Sequence, residues 1–410
     1  MKVFQINTVC GSGSTGRIAV DLSKMLKEKG NQCCIAYSRG VAPANVESYR
    51  FGNKLEIYWH GIMTRITDRH GMYSKRATKK LIAKIREYNP DIIHLHNVHG
   101  YYLNIKLLFE FLASYRKPVV WTLHDCWSYT GHCSHYTCVS CDKWMNQCSE
   151  CPLKKDYPGS LFLDNSVRNY LDKKDLFTSI EQLHLVTPSH WLKEEVEKSF
   201  FGQKSALHPN GIACTAVPNG IDITKFVYTA SDKRKELGID NKKVILGVAN
   251  VWTMQKGFVD FIELAKELDE SYQIVMVGVD KKRSEQLPKN IIALERTKNI
   301  EELIEFYSIA DVYFNSSIEE TMGMTTGEAI CCGTPVVAYR STAVPESVGE
   351  GCGIVVEAGN VRAAKKAIVE ICANKKQYKE ACMSYREQFE ISKAHESYYS
   401  IYRMMLEKRN

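Results

Sequence analysis

The constraint that bears hardest on this chain is a rhythm. Short runs rich in Val, Ile and Leu alternate with longer helical stretches, and the whole pattern is played through twice. The first pass holds "KVFQINTV", the helical "STGRIAVDLSKMLKEKG" ending at Gly30, then "QCCIAYS", "PDIIHLHNV", "KPVVWTLHD" and "HLVTPS". Each apolar run is short and bounded by Pro or polar residues, the look of strands buried on both faces of a parallel sheet. A turn cluster, "VPNGIDITKF" (Val217–Phe226), interrupts the series. After it come "KVILGVANV", "YQIVMVG", "NIIALE", "ADVYFNSS" and "TPVVAY". A chain of 410 residues is too long for one ordinary core. The expectation is an α/β protein of two doubly wound parallel-sheet domains, over 1–216 and 217–388. The amphipathic "EISKAHESYYSIYRMMLEK" supplies a last helix within 389–410. In such sheets, ligands bind at the carboxyl ends of the strands.

Composition narrows the function classes. Apolar content of 44% and charge of 25% are those of a globular protein. A net charge of +7 makes no case for nucleic acid. No apolar run approaches the roughly 18 residues of a membrane span, and "MKVFQINTV" lacks the apolar region of a signal peptide. A cytoplasmic location is expected, with the 15 cysteines reduced.

The most informative stretch is "EETMGMTTGEAICCGTPVVAY", Glu319 to Tyr339. It reads as a loop after a strand, then a helix from about Met324 closed by Gly333, then the next strand. Free amides and the positive dipole end at the helix start suit a phosphate. Glu328, about one turn inside, can reach a vicinal diol, while Glu320 sits across the loop ending at Gly323. A carboxylate accepts two hydrogen bonds, so a diol–phosphate–polyol ligand fits.

Glu320-x7-Glu328 followed by "CCGTPVV" resembles the signature of family 4 retaining glycosyltransferases of the GT-B fold. The segments "GSGSTGRIA", "PDIIHLHN", "TLHDCW", "TPSHWLKE", "VPNGID" and "QKG" fall in that family's order. The resemblance is strongest to bacterial transferases of exopolysaccharide and capsule synthesis, of the colanic-acid type. It implies two Rossmann-like domains facing a central cleft, the first taking the acceptor and the second the nucleotide sugar. It implies that Glu328 holds the donor ribose, Glu320 the donor sugar, and the amides of Met324 and Thr325 the diphosphate. His124 in "WTLHD" would contact the donor sugar near the reacting carbon, with Asp125 orienting it. Lys256 in "WTMQKG" would offset charge on the departing diphosphate. Asn250 and Trp252 would line the pocket, and Thr297 in "ERTKN" falls where the family reads the base. The family also carries an arginine a few residues before its lysine, yet nothing between Gly247 and Lys256 is basic.

The loop "GSGSTG", Gly11 to Gly16, fits G-x-G-x-x-G between a strand and a helix. Alone it is the dinucleotide fingerprint, which expects an acid at the end of the second strand. Here that strand ends in Ser38 and Arg39, leaving an NADP-dependent oxidoreductase as one alternative. In the resembled family, Gly13 and Gly16 approach the donor phosphates and Ser14 faces the acceptor. A sugar-nucleotide epimerase on the same scaffold is the other alternative.

No Asp-x-Asp triplet is present to hold a divalent ion at the diphosphate. Helix amides and Lys256 are the implied substitute, so no catalytic cofactor is expected. The resemblance implies retention of configuration by a front-face reaction.

"GHCSHYTCVSCDKWMNQCSECP", within the loop 131–152, holds two C-x-x-C pairs, Cys138/Cys141 and Cys148/Cys151. Such pairs suit tetrahedral zinc, with Cys133 as the alternate to Cys138, and a structural zinc is the expectation they raise. "YSKRATKKLIAKIREY" (Tyr73–Tyr88) is a basic amphipathic helix. In a family whose acceptor is often lipid-linked, it points to peripheral contact with the anionic inner leaflet.

Overall fold

The computed structural model describes residues 1–407. Two compact units emerge, one from Met1–Pro218 with the chain from His395 onward, the other from Asn219–Ala394. The first holds strands β1 (Lys2–Ile6), β2 (Gln32–Tyr37), β3 (Ser48–Arg50), β4 (Ile92–Leu95), β5 (Val119–Thr122), β6 (Leu183–Thr187) and β7 (Ala213–Ala216). They form one parallel sheet in the order β3-β2-β1-β4-β5-β6-β7. The second holds β8 (Lys243–Val248), β9 (Tyr272–Val277), β10 (Ile291–Leu294), β11 (Val312–Asn315), β12 (Val336–Arg340) and β13 (Gly353–Glu357). These are also all parallel, in the order β10-β9-β8-β11-β12-β13. The expected pair of doubly wound sheets is therefore present.

The central strands are fully buried, as their unbroken apolar runs require. Strands β3, β7 and β13 escaped the sequence reading. Each is a sheet edge with exposed or half-exposed positions, so no continuous apolar run marks it.

Strand order fixes where ligands can go. The order reverses between β1 and β4 in the first sheet and between β8 and β11 in the second. Loops leaving such a pair diverge to opposite faces and open a crevice at the strand ends. The last helix, Ile391–Glu407, returns to the first unit. There Tyr402 Oη lies 2.7 Å from His94 Nδ1, and Tyr398 Oη lies 3.0 Å from Thr122 Oγ1.

Candidate active site

In the second unit, both halves of the β8/β11 crevice carry predicted residues. After β8, the turn Met254–Lys256 is capped by Thr253, whose side chain accepts from the Lys256 amide. Gly257 follows at φ +73°, and a Cβ there would come within 2.5 Å of three Ser316 atoms, so only glycine lets the two loops close up. Ser316 Oγ donates to the Lys256 carbonyl, and the Ile318 amide to the Gln255 carbonyl. The β8 loop is thus stitched to the β11 loop.

That stitching places Lys256 Nζ 2.5 Å from Glu320 Oε1. Ser317 Oγ donates to the same oxygen at 3.1 Å, and the Glu320 amide donates to Thr342 Oγ1. The helix Met324–Cys331 begins directly after Gly323, and Gly333 at φ +76° closes it as expected. Its first turn is held from β11, where Tyr313 Oη donates to Thr325 Oγ1 and Asn315 Nδ2 to Thr326 Oγ1. One expected role changes. The Met324 amide donates to the Met322 carbonyl at 2.9 Å, and the Thr326 and Gly327 amides to the Gly323 carbonyl. The Thr325 amide makes no hydrogen bond among the described residues, so it is the donor left for an anion.

Glu328 is buried on this helix and accepts from Tyr307 Oη at 2.9 Å. Burial and the nearby Glu328 charge push the Tyr307 hydroxyl well up, so it keeps its proton and donates. The sequence reading missed Tyr307, which looked like one more apolar-face residue of the helix Ile300–Ile309. Asn250 is exposed in the loop after β8, and Thr297 is half-buried in the loop after β10. Trp252, expected to line the pocket, is instead 2% exposed, with its indole donating to the Val277 carbonyl. It packs against Phe261 in the core beneath the loop.

In the first unit, Gly13 is the exposed first residue of the helix Gly13–Glu28, Ser14 beside it is exposed, and Ser12 supplies no side-chain cap. Gly16 is buried, where a Cβ would sit 3.0 Å from Val9 and 3.1 Å from the Gly11 amide. Close packing of helix on loop requires glycine there. Arg39, the residue that kept an NADP reading open, donates to the Gly100 carbonyl at 2.6 Å.

His124, just past the end of β5, stands beside His96, which follows β4, with Nε2 to Nδ1 3.1 Å and the rings stacked. His96 Nε2 in turn lies 2.8 Å from Gln5 Oε1 of β1. Gln5 donates through Nε2 to the Ala19 carbonyl, which fixes its amide orientation. Gln5 Oε1 can only accept, so His96 carries its hydrogen on Nε2 and accepts at Nδ1. His124 must then donate from Nε2, which makes its Nδ1 the acceptor nitrogen. Burial holds His124 down at about 4, against the opposing pull of Asp125, so the ring is neutral at pH 7. Asp125 does not orient His124 as expected. Its carboxylate faces His99, 2.8 Å away, and accepts from the Trp127 amide. Burial alone would raise Asp125, but His99 and that amide hold it at about 2. A polar Gln inside a buried strand and the paired histidines of "HLH" at the end of β4 were the signals for this relay.

In the cysteine loop, the alternate Cys133 groups with three of the predicted cysteines. Cys133, Cys141, Cys148 and Cys151 line one small pocket, whereas Cys138 is exposed and not part of that lining. Cys138 sits in a one-turn helix, Thr137–Val139. The Gly131 amide donates to Cys148 Sγ at 3.2 Å. Among the described residues, no group of three or more His, Cys, Asp or Glu side chains is arranged to hold a metal ion.

Residues 15–225 match the model "Glycosyltransferase Family 4", and residues 230–388 match "Glycosyl transferases group 1". The chain is 26% identical over 239 residues to the putative colanic acid biosynthesis glycosyl transferase WcaC of Escherichia coli K12, covering 54% of this chain and 55% of that one. It is 23% identical to N-acetyl-alpha-D-glucosaminyl L-malate synthase of Bacillus anthracis, over 95% of this chain and 93% of that one. Among solved structures, sucrose-phosphate synthase of Thermosynechococcus elongatus superposes with a TM-score of 0.71 at 15% identity, covering 99% of both chains. HepE of Anabaena in complex with UDP gives 0.65 at 15% identity, covering 98% of this chain and 99% of that one. At such identity these structures establish the fold, which is GT-B.

Proposed function

The chain belongs to glycosyltransferase family 4, and on that premise we propose that it moves a hexose from a nucleoside diphosphate sugar to a lipid-linked glycan. Synthesis of a surface polysaccharide is the setting this reading favours, supported by the likeness to a colanic acid transferase. A UDP-bound neighbour of the same fold supports a nucleotide-sugar donor.

The observation that carries the reading is the convergence at the β8/β11 crevice. Lys256 and Glu320 sit on the loops leaving β8 and β11, and the Thr325 amide and Glu328 on the helix that follows the second loop, with Tyr307 bonded to Glu328. Glu328, oriented by Tyr307, takes the ribose diol. The helix start and Lys256 take the diphosphate, whose charge grows as the anomeric bond breaks. While no diphosphate engages Lys256, Glu320 holds its ammonium. A bound donor takes over that ammonium and frees Glu320 for the sugar hydroxyls. These groups supply the charge stabilisation without a divalent ion. In the first unit, His124 offers Nδ1 as an acceptor for a sugar hydroxyl. The acceptor hydroxyl attacks from the leaving-group face and passes its proton to the departing diphosphate, so configuration is retained.

The test is transfer itself. The protein is incubated with UDP- and GDP-hexoses labelled in the sugar, with and without a membrane lipid extract. The proposal expects label in the lipid fraction, with release of nucleoside diphosphate only when extract is present. Donor consumption without any acceptor would favour an epimerase-type enzyme instead.

A further inference from the structure

The helix Lys54–Thr67 is turned inside out. A surface helix ordinarily buries an apolar stripe and shows polar residues to solvent. This one buries only His60 and Thr64. His60 is held by Ser74 Oγ at Nδ1 and by the Gly71 amide at Nε2, so polar contacts seat the helix together with Ile57, which packs half-buried against the core. Its apolar stripe faces outward, with Leu55 81%, Tyr58 71%, Trp59 60% and Ile66 45% exposed. Positions three, four and seven apart share one face of a helix, so these four form one surface.

A second element extends that surface. The Leu161 amide donates to the Arg65 carbonyl, and Asn165 Nδ2 to the Thr67 carbonyl. The segment 160–165 is thereby fastened along the last turn of the helix. It presents Leu161, Phe162 and Leu163, exposed by 61%, 76% and 50%. Three consecutive exposed apolar residues on a fastened loop are a cost in water that a lone monomer has no reason to bear. Lys54, Arg65 and Lys155 border the patch and are exposed. Between the two elements lies a cavity of about 470 Å³ lined by Arg65, Lys155, Tyr101 and Tyr157 among others.

We propose that this face docks on an anionic lipid bilayer, with the helix lying in the interface and the Phe162 loop inserted below the head groups. The helix has 14 residues, about 21 Å at ~1.5 Å per residue, too short to span and suited to lying flat. Trp and Tyr on the apolar stripe, with basic side chains at its border, are the composition that favours a membrane–water boundary and negatively charged lipids. This face differs from the basic helix that the sequence pointed to. The helix Lys75–Tyr88 buries Ala77, Leu81 and Ile85 and shows no large exposed apolar residue. The cavity beside Arg65 and Lys155 then lies at head-group level, where it would take the phosphate-bearing part of the acceptor. That last step rests on the lipid-linked acceptor proposed above.

The experiment is vesicle flotation of the full chain with phosphatidylglycerol/phosphatidylcholine vesicles and with phosphatidylcholine alone. Expected is flotation with the anionic vesicles only, weakened several-fold in 0.5 M salt. The double substitution Trp59→Ser/Phe162→Ser should weaken it at least tenfold, with melting temperature and nucleotide binding kept. Arg65→Glu/Lys155→Glu should weaken it in the same direction. Failure of the wild-type chain to float at low salt would overturn the proposal, as would full flotation of the Trp59/Phe162 variant. A dimer in solution that this variant dissociates would assign the face to a second copy instead. Neither result bears on sugar transfer to a soluble acceptor, which tests the other reading separately.

Discussion

Lys256 Nζ stands 2.5 Å from Glu320 Oε1, although the two residues leave different strands of the second sheet. A pair on one loop would be an ordinary local ion pair. A pair spanning the strand-order reversal ties the two walls of a ligand crevice together. The pair is half-shielded from water, so its energy as a salt bridge is modest. Its weight, on the proposed function, lies in placing an ammonium at the diphosphate of the donor. Lys256→Met should lower turnover by roughly 100- to 1,000-fold, the usual effect of removing one preorganised charge stabiliser. Steady-state kinetics with a saturating donor is the check, and an unchanged kcat would remove Lys256 from the reaction.

Tyr307 should matter through Glu328. Tyr307→Phe deletes one hydrogen bond to a buried carboxylate and leaves packing intact. Such a bond to a charged group is worth about 1.5–3 kcal/mol, so UDP or GDP should bind roughly 10- to 100-fold more weakly. Turnover at saturation should change little. Calorimetry with the nucleotide reads this directly, and equal affinity in the variant would show that Glu328 needs no such orientation.

The Gln5–His96–His124 relay predicts action at a distance. Gln5→Leu leaves His96 Nε2 buried without its acceptor, which costs about 1–3 kcal/mol of stability. It also removes the constraint that fixes the His124 tautomer, so kcat should fall while donor KM stays near its normal value. His124→Ala should likewise act mainly on turnover. A purely structural role for Gln5 would lower the melting temperature and leave kcat untouched.

Acid should loosen the first unit. Burial pushes His60 and His94 down to about 3 and His124 to about 4, and it holds His70 and His96 well below the usual range. Each stays neutral in the fold but takes up a proton on unfolding below about pH 6.5. Their contribution is therefore complete above that pH and is lost as pH falls towards 4. Each uncharged buried histidine costs about 1.4 kcal/mol per pH unit over that range. His132 works in the opposite sense. Burial lowers it, but its bond to Asp68 raises it overall, one histidine against five. Denaturant midpoints between pH 7 and pH 4.5 should fall steeply. A flat profile would mean that these rings are not neutral in the fold.

Much of this molecule was legible in its sequence because parallel sheets write themselves as unbroken apolar runs. Ten of the strands and the helix caps at Gly30 and Gly333 follow from local pattern. Glu320, Glu328 and Lys256 were legible because each follows a strand end with turn chemistry around it. Tyr307 and His96 were not, because a buried polar side chain on an apolar element looks like packing until its partner is known. Trp252 shows the converse error. An aromatic next to a site residue was read as lining and proves to be core, because its indole finds a backbone carbonyl below the loop. The outward stripe of the helix Lys54–Thr67 was hidden for a related reason. Periodicity gives a face but not whether that face turns in or out.

The account stands or falls on the nucleotide. Purified protein should be scanned for thermal stabilisation by UDP, GDP, ADP and NADP without added divalent metal, alongside Glu328→Ala. A ligand that binds only the folded state raises the melting temperature by mass action. The account predicts a rise with UDP or GDP that disappears in Glu328→Ala. A rise with NADP alone, retained in that variant, would move the ligand to Gly11–Gly16 and contradict it.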